Sequence, residues 1–83
     1  MSVDQETAVM DFIRARLAER TKVPLSDVTP SSRLIALGLQ SIDAVLLCGE
    51  VEEAFEVELD PTTIFEQDTV GGFVGAVLAR MAG

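Results

Sequence analysis

Apolar residues in this chain recur at steps of three and four, and only one short stretch alternates at two. Val9, Phe12, Ile13 and Leu17 keep that rhythm between about Asp4 and Arg20, which puts them on one face of a 3.6-residue helix. Val70, Phe73, Val74, Val77, Leu78 and Met81 form a second stripe behind Thr69, a residue type that caps helices through its side-chain oxygen. The alternating stretch, Phe55-Glu56-Val57-Glu58-Leu59, has no second strand to pair with and reads as a helix end and turn. The chain is therefore confined to all-α architectures.

The remaining elements follow from punctuation. Thr21 to Leu39 is broken by Pro24 and Pro30 and is rich in Ser, Thr and Asp. A connection this long inside a compact domain is functional or tied down. Val23, Leu25, Val28, Leu34 and Leu37 are the candidate ties. A second long helix is expected from Ser41 to about Phe55, closing near Glu56. Asp60-Pro61 supplies a cap and a first-turn proline for a short helical piece through Phe65. The expected fold is a small four-helix bundle of three main helices and one short third helix, with a long loop between helices 1 and 2. At 83 residues it forms one domain, 1–83, burying roughly 60–65% of the surface its unfolded chain exposes.

Residue types that are missing exclude whole classes of chemistry. With no histidine and one cysteine, the chain holds no Ser-His-Asp or Cys-His nucleophile pair and none of the usual zinc ligand sets. Its carboxylates lack the spacing of a twelve-residue calcium loop. No catalytic residue and no metal ligand is assigned. Cys48 cannot form an internal disulfide, which suits a reducing compartment. No apolar run approaches the roughly 20 residues that cross a bilayer, and no signal-like segment opens the chain. A cytoplasmic, monomeric protein is the expectation, and a start at Met with an end just past the last helix suits an independent one.

The net charge is −8, unevenly spread. Between Arg33 and Arg80 lie Asp43, Glu50, Glu52, Glu53, Glu56, Glu58, Asp60, Glu66 and Asp68 with no base among them. Such a half repels nucleic acid and anionic membranes and steers basic protein surfaces toward it. Solubility alone would also account for it.

Ser41 stands where Gly38-Leu39-Gln40 hands over to the second helix. Free N–H groups and a partial positive charge gather at a helix start, so a hydroxyl there is well placed to carry a phosphodiester. Plain capping competes, since serine is a favoured N-cap, and on spacing alone it is the better account. The reciprocal capping-box partner is absent, because Ala44 occupies that position.

The second helix carries two apolar faces. Ala44, Leu47, Cys48, Val51, Ala54 and Phe55 cluster as the core side, with Cys48 a small buried hydrophobe. Ile42, Val45, Leu46 and Gly49 make an opposite strip, rimmed by Asp43 and Glu50 with Glu52 and Glu53 near its far end. Either the long loop covers this strip, or it stays open and docks a partner.

Leu37-Gly38-Leu39-Gln40-Ser41-Ile42, the acidic helix ending Glu52-Glu53-Ala54-Phe55, then Asp60-Pro61-Thr62-Thr63-Ile64-Phe65-Glu66 and Asp68-Thr69-Val70 together resemble the acyl carrier protein family, which binds phosphopantetheine. The last stretch is closer to polyketide and nonribosomal-peptide carriers than to housekeeping fatty-acid carriers. The resemblance implies a carrier and not a catalyst. A phosphopantetheinyl transferase would move 4′-phosphopantetheine from coenzyme A onto Ser41, and the arm's thiol would hold an acyl group as a thioester. Acyl-loading, condensing or modifying enzymes with basic docking surfaces would then read Gln40, Ile42, Asp43, Val45, Leu46, Glu52 and Glu53. A peptidyl carrier is the near alternative, and an unmodified acidic adaptor docking through Ile42, Val45 and Leu46 the distant one. Two positions depart from the family: Gln40 stands where Asp is usual, and Leu46 where a charge is common.

Overall fold

The computed structural model describes residues 4–60 and 62–82. Its elements are α1 (Gln5–Thr21), single 3₁₀ turns at Leu25–Asp27 and Ile35–Leu37, α2 (Ser41–Phe55), α3 (Thr62–Phe65) and α4 (Val70–Ala82). The bundle expected from the periodicity is the one observed. Among the described residues the extended pairing is confined to one isolated bridge, Arg33 with Thr69.

Each helix begins where its sequence says it should. Asp4 accepts the Glu6 amide at the head of α1, at 3.4 Å. Asp60 accepts the Thr62 amide at 2.9 Å and so caps α3; the proline expected in that first turn, Pro61, lies outside the described residues. Thr69 Oγ1 accepts the Gly72 amide at 3.0 Å and caps α4. Lys22 and Glu56, both with positive φ, stop α1 and α2 in left-handed caps.

The core is aliphatic, as the composition implies. Val9, Ile13 and Leu17 of α1 meet Ala44, Leu47, Cys48 and Val51 of α2 and Val70, Phe73, Val74 and Val77 of α4, with Val28, Leu34, Leu59 and Ile64 filling from the loops and α3. Helix α1 packs on both α2 and α4, and α3 bridges α2 and α4. Phe12 sits half-buried at the edge, its ring meeting Phe55 edge-on at 5.3 Å.

Two expected core contacts are corrected. Ala54 is exposed: it points toward Asp43 and Glu50 on the helix circumference and lines a groove with Phe12 and Arg16. Leu25 is half exposed, because its turn is held by the backbone and not the side chain. Arg14 donates from Nη2 to the Leu25 carbonyl at 3.0 Å and from Nε to the Val28 carbonyl.

The long loop is tied to the start of α4. The Leu34 amide donates to Asp68 O at 2.9 Å, Val70 to Ser32 O at 3.0 Å and Gly71 to Pro30 O at 2.8 Å. With Val28 and Leu34 buried, the loop is held against the α4 end of the bundle. It does not cover the outer strip of α2.

Candidate functional site

The approach to Ser41 is set by Gly38, whose φ of +85° belongs to the left-handed region. Among the described residues beyond its chain neighbours, no atom lies within 4 Å of a Cβ placed there, so backbone conformation and not crowding asks for glycine. Gln40 follows in extended conformation (φ −93°, ψ 162°) as the N-cap of α2, and its side chain makes no capping bond. Ser41 is thus the first helical residue and not the cap. The capping account of this serine fails for that reason: a helical first residue does not place its oxygen back on the following amides.

Ser41 is exposed, and its hydroxyl has no hydrogen-bond partner among the described residues. The first α2 amide with a backbone acceptor is that of Ala44, bonded to Gln40 O at 3.0 Å. The amides of Ser41, Ile42 and Asp43 precede it and find no acceptor among the described residues. Three free N–H groups at the positive end of a 15-residue helix suit a phosphodiester on that hydroxyl. Beside it is a cleft of about 370 Å³ lined by Arg33, Leu34, Ile35, Leu39, Ile64, Phe65, Gln67 and Asp68 as well as Ser41. A larger depression, about 670 Å³, lies between the ends of α2 and α4 around Phe55, Val57 and Met81; it holds no nucleophile, so the chemistry points to the smaller one.

The other residues singled out from sequence divide into three groups. Ile42, Val45 and Leu46 are 61%, 44% and 47% exposed, so the strip is open. Glu53 is exposed as well. Asp43 and Glu52 are engaged internally: Arg20 Nη1 lies 3.7 Å from Asp43 Oδ1, and Glu52 Oε2 accepts the Leu59 amide at 2.9 Å. The acid-rich half, which holds no base of its own between Arg33 and Arg80, is met by an arginine from α1.

Several surroundings of the site were not singled out from sequence. Arg20 bonds Glu50 at 2.8 Å, a contact across thirty positions with no local signal. Ile35 and Phe65, 79% and 57% exposed, flank Ser41; the excess of apolar residues in Leu34-Ile35-Ala36-Leu37 was the available clue. Cys48, by contrast, is the small buried hydrophobe that the helix pattern indicates, 1% exposed. Burial pushes its thiol up, Glu52 and Asp60 add to the rise, and a backbone hydrogen bond with Ile64 only partly opposes it. A buried protonated thiol is a packing group and not a nucleophile.

This bundle is that of solved carrier proteins. A free-standing peptidyl carrier protein from Acinetobacter baumannii superposes with a TM-score of 0.79 at 23% identity, over 89% of this chain and 92% of its own. The HMG-ACPI domain of the CurA module from Lyngbya majuscula superposes at 0.78 with 17% identity, over 99% and 89%. Sequence carries the assignment further. The family described as "Phosphopantetheine attachment site" matches residues 11–77, and the chain belongs to it; members of this family carry covalent 4′-phosphopantetheine, and their carrier domains are non-catalytic. Acyl carrier protein 2 of Ralstonia nicotianae is 33% identical over 93% of this chain and 96% of its own length. The polyketide synthase ThaQ of Burkholderia thailandensis is 34% identical over 86% of this chain, and the non-reducing polyketide synthase terA of Aspergillus terreus 27% over 95%. This chain spans only 3% and 4% of those two synthases. No described helix is long and apolar enough to cross a membrane.

Proposed function

We propose that Ser41 is the attachment point of the 4′-phosphopantetheine arm and that the chain carries acyl intermediates between enzymes of a polyketide or related specialised pathway. The observation that carries this is the exposed Ser41 hydroxyl at the first position of α2, without a partner among the described residues, within the family match. When attached, the arm supplies the thiol that holds an acyl group in activated form, so the chain needs no His or reactive Cys of its own. The residues of this chain have simpler tasks. The free amides of α2's first turn bind the phosphodiester, Gly38 presents the serine outward, and Leu39, Ile64 and Phe65 give the arm an apolar wall.

Partner enzymes dock on the face of α2 beside the attachment point that carries Gln40, Ile42, Val45, Leu46 and Glu53, with Asp43 and Glu52, both engaged internally, at its border. The charge of −8 draws basic surfaces in from a distance and suits brief encounters. The polyketide assignment is supported by the names of two relatives, and the acyl assignment by a third of nearly the same length.

Intact mass after incubation with coenzyme A and a broad-specificity phosphopantetheinyl transferase tests the reading. One pantetheinyl addition is expected in the wild type and none in a folded Ser41→Ala variant. An addition that survives Ser41→Ala would overturn the assignment of the serine. No addition with several transferases would favour an unmodified adaptor that uses the open Ile42, Val45 and Leu46 strip.

A further inference from the structure

Arg20 lies in the last turn of α1 and reaches across to α2. Its Nη2 and Nε donate to Glu50 Oε1 at 2.8 and 3.3 Å, and its Nη1 lies 3.7 Å from Asp43 Oδ1. The three side chains are only 22%, 34% and 25% exposed, so the cluster is partly desolvated and less screened than a surface ion pair. Asp43 and Glu50 are seven residues apart on one edge of α2, and a single guanidinium serves both. A second α1 cation, Arg16, lines the groove beside Glu50 and Glu53.

The other polar groups of the face are also accounted for. Glu52 is spent on the Leu59 amide, and Gln40 is neutral. Of the four carboxylates from Asp43 to Glu53, Glu53 alone is both exposed and without an internal partner among the described residues. Next to Ser41, by contrast, Ile42, Val45 and Leu46 sit at helical spacing of three and four and stand open to solvent. At contact range the face is apolar along Ile42, Val45 and Leu46, and the negative charge of its Asp43–Glu50 edge is reduced, though not cancelled, by the one guanidinium of Arg20.

We propose that Arg20 masks the acidic edge of α2, so that the enzyme docking beside Ser41 does so through an apolar surface placed on Ile42, Val45 and Leu46 and not through a row of cations. The proposal rests on Ser41 being the attachment point. A partner's cation that approaches Asp43 or Glu50 meets a carboxylate already shared with Arg20 and is repelled by that guanidinium, so its gain is reduced. An apolar partner surface meets no such competitor. Arg20 is a positioning residue here: it acts on docking by setting the charge that a partner meets.

The test uses the full chain and two phosphopantetheinyl transferases, one with a basic carrier-docking surface and one with an apolar surface. KM for loading is measured between low and physiological salt, with far-UV circular dichroism and thermal unfolding recorded for each variant. The wild type should show the lower KM with the apolar-faced enzyme and little salt dependence there. Leu46→Ser should raise that KM by about tenfold. Arg20→Met should lower KM for the basic enzyme by roughly fivefold at low salt, and the gain should vanish as salt screens the freed carboxylates. Arg20→Gln, a polar second variant, should do the same. A purely structural role for Arg20 would shift the unfolding temperature and leave the salt slope alone.

Folded Arg20 variants with wild-type KM and salt slope would overturn the proposal, as would a Glu53→Lys effect larger than that of Leu46→Ser. If mass spectrometry finds no pantetheine on any form, the assignment of Ser41 fails and the docking proposal with it. Loading at Ser41 that is indifferent to Arg20 removes the docking proposal alone.

Discussion

The amide of Gly71 donates to the carbonyl of Pro30 at 2.8 Å, and a Cβ on Gly71 would lie 3.0 Å from that same oxygen. This contact ties the long loop to the first turn of α4, and the loop in turn delivers Gly38, Gln40 and Ser41 to the head of α2. The opposed atom is backbone and cannot swing aside.

Gly71→Ala is therefore expected to destabilise the fold by about 1 kcal/mol, crowding outweighing the gain in helix propensity. Gly75, in the same helix, has nothing within 4 Å of a Cβ. Gly75→Ala should stabilise by about 0.5–1 kcal/mol. Urea unfolding of the two variants reads the difference, and equal effects would show that the Pro30 contact is not a constraint.

Gln40 caps α2 without using its side chain. An aspartate there can accept the amide of Ile42 or Asp43 and places a negative charge at the positive end of the helix. Gln40→Asp should raise stability by about 0.5–1 kcal/mol. It should also speed loading by a basic transferase, which would then meet a charge beside the serine. Slower loading would contradict the electrostatic part of this account.

Glu52 and Glu53 look alike in sequence and differ in structure. Glu52→Ala removes the acceptor of the Leu59 amide and should cost about 1 kcal/mol, whereas Glu52→Gln keeps an acceptor and should recover most of it. Glu53→Ala should change stability little, since that side chain is exposed. Chemical denaturation of the three variants checks this.

The Asp60 carboxyl is held below its ordinary value of 3.8, first by the Thr62 amide, then by the Thr62 hydroxyl, with a smaller contribution from Arg80. A group whose folded pKa is depressed adds stability above its unfolded pKa and loses it as pH falls through the folded one. The advantage of wild type over Asp60→Asn should be steady near neutral pH and fade below about pH 4. A constant difference down to pH 2.5 would show that the charge is not what holds the α3 cap.

The fold was legible because its signals are local. The stripes Val9–Leu17 and Val70–Met81, the caps Asp60 and Thr69, and the Glu56 stop each act within a few residues, and each appears in place. What escaped the sequence depends on distance in the chain. Whether the loop or solvent covers Ile42, Val45 and Leu46 is decided by hydrogen bonds from residues 30–34 to residues 68–71, which no periodicity encodes. Arg20 belongs to α1 by sequence and to the acidic edge of α2 in space. Ala54 lies only a small angle around α2 from the buried Leu47, and that angle separates core from groove. Ser41 was marked by its setting between Gly38 and an acidic helix. That Gln40 and not Ser41 is the cap follows from the extended backbone of Gln40 and from its carbonyl accepting the Ala44 amide.

Fragment-ion mapping of the protein recovered from cells that make it tests the central claim most directly. The pantetheinyl mass should localise to the peptide spanning Ser41 and to that side chain within it. A fully bare Ser41 in every growth condition, or the same mass on another residue, would contradict it.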